Sequence, residues 1–143
     1  ILIDDGAVWI ARGTTEAIAV APIELGALAA TLLTARHVPS WVAEPWSAGG
    51  DLAALEREIA RRLGRSLDRP GPAAAFLLEA EAEELELHVA RGFCPHADPR
   101  PDLAPARRAA PAGSRVRLIG FFAPQRAGEI THHGTALHVH ALV

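Results

Sequence analysis

Four of the seven histidines of this chain, His132, His133, His138 and His140, fall within its last twelve residues. In His138-Val139-His140 one residue separates the two imidazoles. On a strand, where side chains alternate, both rings project from the same face with Cβ atoms about 7 Å apart. Two rings so placed can converge on one ion, with zinc–nitrogen bonds of about 2.0 to 2.1 Å. Leu137, Val139 and Ala141 would then anchor the opposite face in a core. His132 lies across the Gly134-Thr135 turn and can return beside the pair. His138, His140 and His132 are therefore the predicted metal ligands, and Zn2+ the predicted cofactor. The plainer alternative is a His-X-His pair decorating an exposed strand face, but the flanking strand is too apolar for an edge on display. His133 alone reads as a turn residue. Cys94-Pro95-His96 could form another metal pair, yet its proline-rich flanks and the lack of a second pair favour a solvated loop.

Two further residues are candidate catalytic groups. His88 lies on the alternating run Leu85 to Val89, where Leu85, Leu87 and Val89 face one way and Glu84, Glu86 and His88 the other. By itself it reads as a partly buried histidine bonded to Glu84, Glu86 or backbone. Glu129, close in sequence to the histidine cluster, is either an acid–base group or a solvent-facing turn glutamate. Arg115 and Arg117 alternate with Val116 and Leu118, and can place one positive charge at the site or coat a surface. All fourteen basic residues are arginine, and Lys, Met, Tyr and Asn are absent. With no lysine for an imine, any carbanion chemistry here needs a metal as its electron sink.

These side chains need elements to position them. Ile1 to Ile3 and Ala7 to Ala11 flank Asp4-Asp5-Gly6, an Asp-Gly hairpin signature. Ala17 to Ala21 reads as a strand; Ala27 to Ala35 reads as a strand or a helix. Val38 to Gly50, with two prolines and two tryptophans, reads as a loop partly anchored by its aromatics. Asp51 predicts the cap of a helix running to about Leu63, with Leu52, Leu55, Ile59 and Leu63 on one face and Gly64 as its stop. Ala73 to Leu78, Leu85 to Val89 and Arg115 to Phe122 read as strands. Ala123 to Glu129 is a turn-rich link, and Ile130 to Val143 reads as two strand segments around Gly134-Thr135. Together these predict an α+β fold of mixed, mostly antiparallel β-sheet lobes with one main covering helix. Residues 1–93 form an N-terminal α+β lobe, 94–113 a connection with five prolines, and 114–143 a C-terminal β segment carrying the histidine strand.

Half of the 143 residues are apolar, enough for a real core. The formal charge is −3 and the basic residues are scattered, which argues against nucleic acid as a partner. No apolar run reaches the roughly 18 residues of a membrane span, so no membrane partner is expected. Cys94 is the single cysteine and fits a reducing, cytoplasmic location. The expected partner is a small-molecule substrate, and a homodimer is compatible with the chain. Lacking methionine, opening as if in mid-strand and ending at Val143 inside another apolar strand, the chain reads as a piece of a longer protein or its ordered part.

The segment Leu118-Ile119-Gly120-Phe121-Phe122, followed by a turn, Gly128 and then His138-Val139-His140, resembles the zinc-binding region of acetolactate decarboxylases. The resemblance covers most of the chain. Asp5-Gly6 with Val8-Trp9 is similar to the family's first hairpin. Pro72 to Val89, with Phe76-Leu77-Leu78-Glu79 and Leu85-Glu86-Leu87-His88-Val89, looks like its central strand pair. Thr131-His132 to His138-Val139-His140 resembles a divergent bacterial branch. The resemblance implies a lyase in which three histidines hold zinc as a Lewis acid on the hydroxyl and carbonyl oxygens of a small 2-hydroxy-3-oxo acid such as 2-acetolactate, giving acetoin and CO2. His138 and His140 carry over as two ligands. The third histidine of the family would follow Val143, leaving His132 as the substitute within the chain. The family's catalytic glutamate would precede Ile1, and its catalytic arginine falls on His88, which lacks the permanent bidentate fork of arginine. The resemblance thus implies His88 as a substrate or proton handler. A bacterial regulatory domain with a similar histidine pair supplies the alternative, a non-catalytic metal-binding regulatory or structural protein.

Overall fold

A computed structural model describes residues 1–13, 18–22, 26, 34–46, 49–66, 73–89 and 106–143. Most of the expected element Ala27 to Ala35 lies outside the described residues, as do Cys94, His96 and residues 90–105. The fold is α+β, with one helix and three sheets among the described residues.

The first sheet has the order β1-β2-β3, with β1 Leu2–Asp4, β2 Ala7–Gly13 and β3 Ile18–Pro22, all antiparallel. The register runs from Leu2↔Trp9 to Asp4↔Ala7 and leaves Asp5-Gly6 as a two-residue turn. Asp5 (φ 48°) and Gly6 (φ 80°) both take the left-handed conformation. That is the requirement of a type I′ turn, whose twist matches that of the strands it joins.

β4 (Ala74–Ala82) and β5 (Leu85–Val89) follow one another across Glu83-Glu84, but they belong to different sheets. The central strand pair expected at Pro72 to Val89 is thus corrected. Glu83-Glu84 bends the chain without reversing it, so β5 finds its partner in β6 (Ala106–Ala110). Their antiparallel register runs from Leu85↔Ala110 to Val89↔Ala106. Gly113 N–H donates to Ala82 O (2.9 Å), three residues on from Leu85↔Ala110 along both strands, so the ladder continues around the bend. β6 falls within the stretch expected to be irregular. Its Ala-Arg-Arg-Ala-Ala sequence has little strand propensity of its own, and pairing with the β5 backbone overrides it. An ion pair between Glu86 and Arg107 links the two strands. Along β5 the predicted alternation holds: Leu85, Leu87 and Val89 are half-buried, Glu86 and His88 exposed.

The remaining sheet has the order β4-β7-β8, with β7 Ser114–Phe122 and β8 Leu137–Leu142. Only one strand forms after Ile130, where two were expected. Residues 123–136 fold instead into successive turns, with a single bridge between Ala127 and Thr131.

Helix α1 spans Leu52–Ser66. Asp51 caps it twice over, its Oδ1 accepting from Ala54 N–H (2.8 Å) and its carbonyl from Leu55 N–H (2.9 Å). Gly64 does not stop the helix, which continues two residues further; a helical glycine costs about 1 kcal/mol and does not forbid the last turn. Leu55 and Ile59 are buried as the face pattern predicts, and each such burial contributes roughly 1.5–3 kcal/mol. Leu52, in the first turn, is exposed. Arg62 joins the helix to the preceding loop. It donates to Glu58 (2.8 Å), Glu44 (3.0 Å) and the Pro45 carbonyl (3.1 Å), and its guanidinium stands 4.7 Å from the Trp46 ring centre. Trp46 is therefore the aromatic that anchors this loop, while Trp41 remains exposed.

Glu58 accepts from both Arg61 and Arg62, which hold its carboxyl at about 2 against an ordinary 4.5. Because the folded value is depressed, the stabilisation is complete above pH 4.5 and is lost as pH falls toward 2. The thermal midpoint, followed by circular dichroism, is expected to fall more steeply across that window in the parent than in Glu58→Gln. Coincident acid limbs would refute the assignment. Exposure of the arginine partners keeps the effect small.

The chain divides into two compact units built from non-contiguous segments. One comprises Ile1–Ala30, Leu78–Leu118 and His140–Val143, with Val8 and Val116 buried. The other comprises Thr31–Leu77 and Ile119–Val139, with Leu55, Ile59, Ala123 and Leu137 buried. No helix among the described residues is long and apolar enough to cross a membrane.

Candidate metal centre

The stretch from Ala123 to Leu137 positions the histidines, and its backbone is pinned throughout. Ala123 N–H donates to Ala136 O (2.8 Å), closing the connection between β7 and β8. Within it the Arg126 carbonyl accepts from Ile130 N–H (3.0 Å), and Gly128 N–H donates to Thr131 O (2.9 Å). Thr131 is the buried polar residue of the connection, and its hydroxyl donates to the Thr135 carbonyl (2.6 Å). Thr135 N–H in turn reaches His132 O (3.3 Å). The Thr135 hydroxyl accepts from Leu137 N–H (3.0 Å) and donates to Glu56 Oε2 of α1 (2.5 Å). This chain of bonds folds Thr131 to Thr135 back against the start of β8.

As a result the His132 and His138 rings stack, with centres 5.9 Å apart and planes 11° from parallel. His132 thus returns across the turn as expected and meets His138. His138 is half-buried and His132 exposed. Burial lowers the pKa of His138, the nearby His132 lowers it further, and a hydrogen bond to the Ile130 backbone opposes both. The ring is thereby biased toward the neutral form that a metal requires. The bond to the Ile130 backbone orients the ring. Two imidazoles on a tetrahedral ion at ~2.1 Å place their ring centres roughly 5 Å apart, so 5.9 Å lies within an ångström of a shared ligand sphere. Imidazole lone pairs lie in the ring planes, however, so the stacked, near-parallel rings do not aim at one point, and one ring must turn before the two could share an ion. Among the described residues, no three His, Cys, Asp or Glu side chains are grouped as a metal ion requires.

The other candidates stand elsewhere. His140 is half-buried two residues along β8, on the same strand face as His138 by alternation. His133 is exposed and lays its ring against Gly128. Glu129 is exposed and bonded to Arg126 (2.6 Å), which ties it to its own turn. His88 is exposed on β5, opposite Arg107 of β6. Arg117 pairs with Asp4 (3.0 Å), so its charge is engaged within the first unit.

Sequence reasoning missed Thr131, Thr135 and Glu56, which hold the histidine loop in place. The signal is the Thr-X-X-X-Thr spacing around His132-His133-Gly134, which sets one hydroxyl to bond the second threonine's carbonyl. Glu56 carries no local signal, since its partner Thr135 is 79 residues away. Comparison of the chain with protein-family models, curated proteins and solved structures gave no match.

Proposed function

We propose that this chain is a cytoplasmic, zinc-dependent carboxy-lyase acting on a small 2-hydroxy-3-oxo acid such as 2-acetolactate, releasing CO2 and acetoin. The observation that carries the metal half of the reading is the closeness of the His132 and His138 rings, 5.9 Å apart at their centres, from which a turn of one ring would bring a nitrogen of each onto one ion. The lyase half rests on the resemblance of Leu118 to Phe122 and His138-Val139-His140 to the acetolactate decarboxylases. His138 and His132 would hold the ion; His140, the other predicted ligand, is not grouped with them as a third donor. Bound there, zinc would supply Lewis-acid polarisation of the substrate's oxygens. Thr131 and Thr135 position the two rings through the backbone bonds they make. His88 and Glu129 are the proton-handling candidates. Both are reachable from water.

A second reading, a non-catalytic metal-binding regulatory or structural protein, is favoured by the solvent-facing settings of His88 and Glu129. Zinc titration by calorimetry and CO2 release from 2-acetolactate separate the two. The lyase reading expects stoichiometric zinc and turnover in the parent. It also expects His138→Ala to weaken zinc binding by tenfold or more, about 1.4 kcal/mol, and His88→Ala to lose rate with zinc retained. Zinc bound without CO2 release leaves the second reading standing. No zinc bound at all removes both.

A further inference from the structure

Within the unit that carries α1, a cleft of about 410 Å³ separates the helix from the β7–β8 connection. Ala53 and Ala60 line it from the helix, and Phe122 and Ala136 from the other side. Its charged groups are Glu56 and Arg57, neighbours on α1. The volume falls at the lower end of the roughly 300–1,000 Å³ typical of small-molecule sites, which limits the occupant to a small molecule.

The two charged groups are in different states. Glu56 is committed through Oε2 to the Thr135 hydroxyl. That hydroxyl already accepts from Leu137 N–H, so its proton is directed at the carboxylate and Glu56 acts as acceptor. Glu56 lines the cleft, and its second carboxylate oxygen is a further acceptor. Arg57 is exposed and takes part in no ion pair or hydrogen bond among the described residues. The sequence explains why: the positions three and four residues away on the helix are Ala53, Ala54, Ala60 and Arg61, none of which carries a carboxylate. Apolar walls, an arginine uncommitted among the described residues and one fixed acceptor define the ligand. A carboxylate suits Arg57, whose fork can take both oxygens. A hydroxyl suits Glu56. A phosphate dianion is disfavoured, because the Glu56 charge stands beside the single arginine.

We propose that this cleft binds a small aliphatic 2-hydroxy monocarboxylate, with its carboxylate on Arg57, its hydroxyl on Glu56 and its hydrocarbon against Ala53, Ala60 and Phe122. Binding here requires no metal and uses neither imidazole of the histidine pair. The test is therefore made on the metal-free protein, so its failure and that of the zinc reading are distinguishable.

Amide shifts in 1H–15N spectra are followed during titration with 2-hydroxy-3-methylbutanoate, with 3-methylbutanoate, and with the neutral amide of the hydroxy acid. The hydroxy acid is expected to give saturable shifts at Ala53, Arg57, Ala60 and Ala136, with a Kd on the order of 1 mM. The acid lacking the hydroxyl should bind more weakly, and the amide should give no saturable shifts. Arg57→Gln is expected to weaken the hydroxy acid by about tenfold or more, as loss of a charge-assisted bond does. Arg57→Lys should retain part of the affinity. Because Arg57 is exposed and takes part in no ion pair or hydrogen bond among the described residues, both variants should melt with the parent, so lost binding cannot be charged to unfolding. Absence of saturable shifts, shifts only away from the cleft, an equal response to the amide, or parent-like affinity in Arg57→Gln would each overturn the proposal.

Discussion

Gly120→Ala is expected to lower stability by about 1 to 3 kcal/mol and to weaken zinc binding in the same variant. Gly120 lies on β7, the central strand of the order β4-β7-β8. A Cβ built there falls deep inside van der Waals contact with the backbone carbonyl of His138 on β8, and 2.9 Å from the Phe76 ring on β4. The ring can rotate or shift. The carbonyl cannot, because it belongs to a paired strand, so the added methyl must push β8 away from β7. The displaced residue is the one whose ring meets His132, which couples the packing defect to the metal site. Urea denaturation and zinc calorimetry on the same preparation check both parts. Phe76→Leu combined with Gly120→Ala is expected to recover only a fraction of the loss, since it relieves the ring and leaves the carbonyl. A Gly120→Ala protein with parental urea midpoint and zinc affinity would refute the account.

The same glycine marks the limit of what sequence can convey. Within Leu118-Ile119-Gly120-Phe121-Phe122, a glycine inside an apolar strand signals a close approach by something. What approaches, a carbonyl eighteen residues later and a ring on β4, is set by tertiary pairing. Local patterns were legible wherever they close locally. Asp5-Gly6 sets its own turn, Asp51 caps the helix that follows it, and the alternation of Leu85, Leu87 and Val89 sorts β5 into two faces. Expectations failed where the deciding partner is distant. Ala106–Ala110 becomes a strand because β5 supplies its hydrogen bonds, and β4 and β5 part company because the bend at Glu83-Glu84 sends each to a different sheet. At the candidate site, the return of His132 to His138 followed from the Gly134 turn. The threonines that enforce it escaped notice, because a threonine in a loop looks the same whether its hydroxyl faces water or a carbonyl.

Thr135→Val carries the second large effect, because one hydroxyl serves two structures. Its oxygen accepts from Leu137 N–H at the first residue of β8, and its proton goes to Glu56 on α1. Valine keeps the shape and removes both bonds, leaving a half-buried carboxylate without its donor. Hydrogen bonds to charged groups contribute about 1.5–3 kcal/mol; partial exposure places the expected loss near the lower end. The loss should exceed the sum for two independent surface bonds, because α1 and the histidine loop are released from one another together. Thr135→Ser, which keeps the hydroxyl, should retain most of the stability. A double-mutant cycle with Glu56→Gln isolates the contact, and a coupling of at least about 0.5 kcal/mol is expected for groups in direct contact. Zinc affinity should fall in Thr135→Val but not in Thr135→Ser, because His132 is held beside His138 by the backbone that Thr135 anchors. Equal stability and equal zinc affinity in the valine and serine variants would show that the hydroxyl contributes nothing to the site.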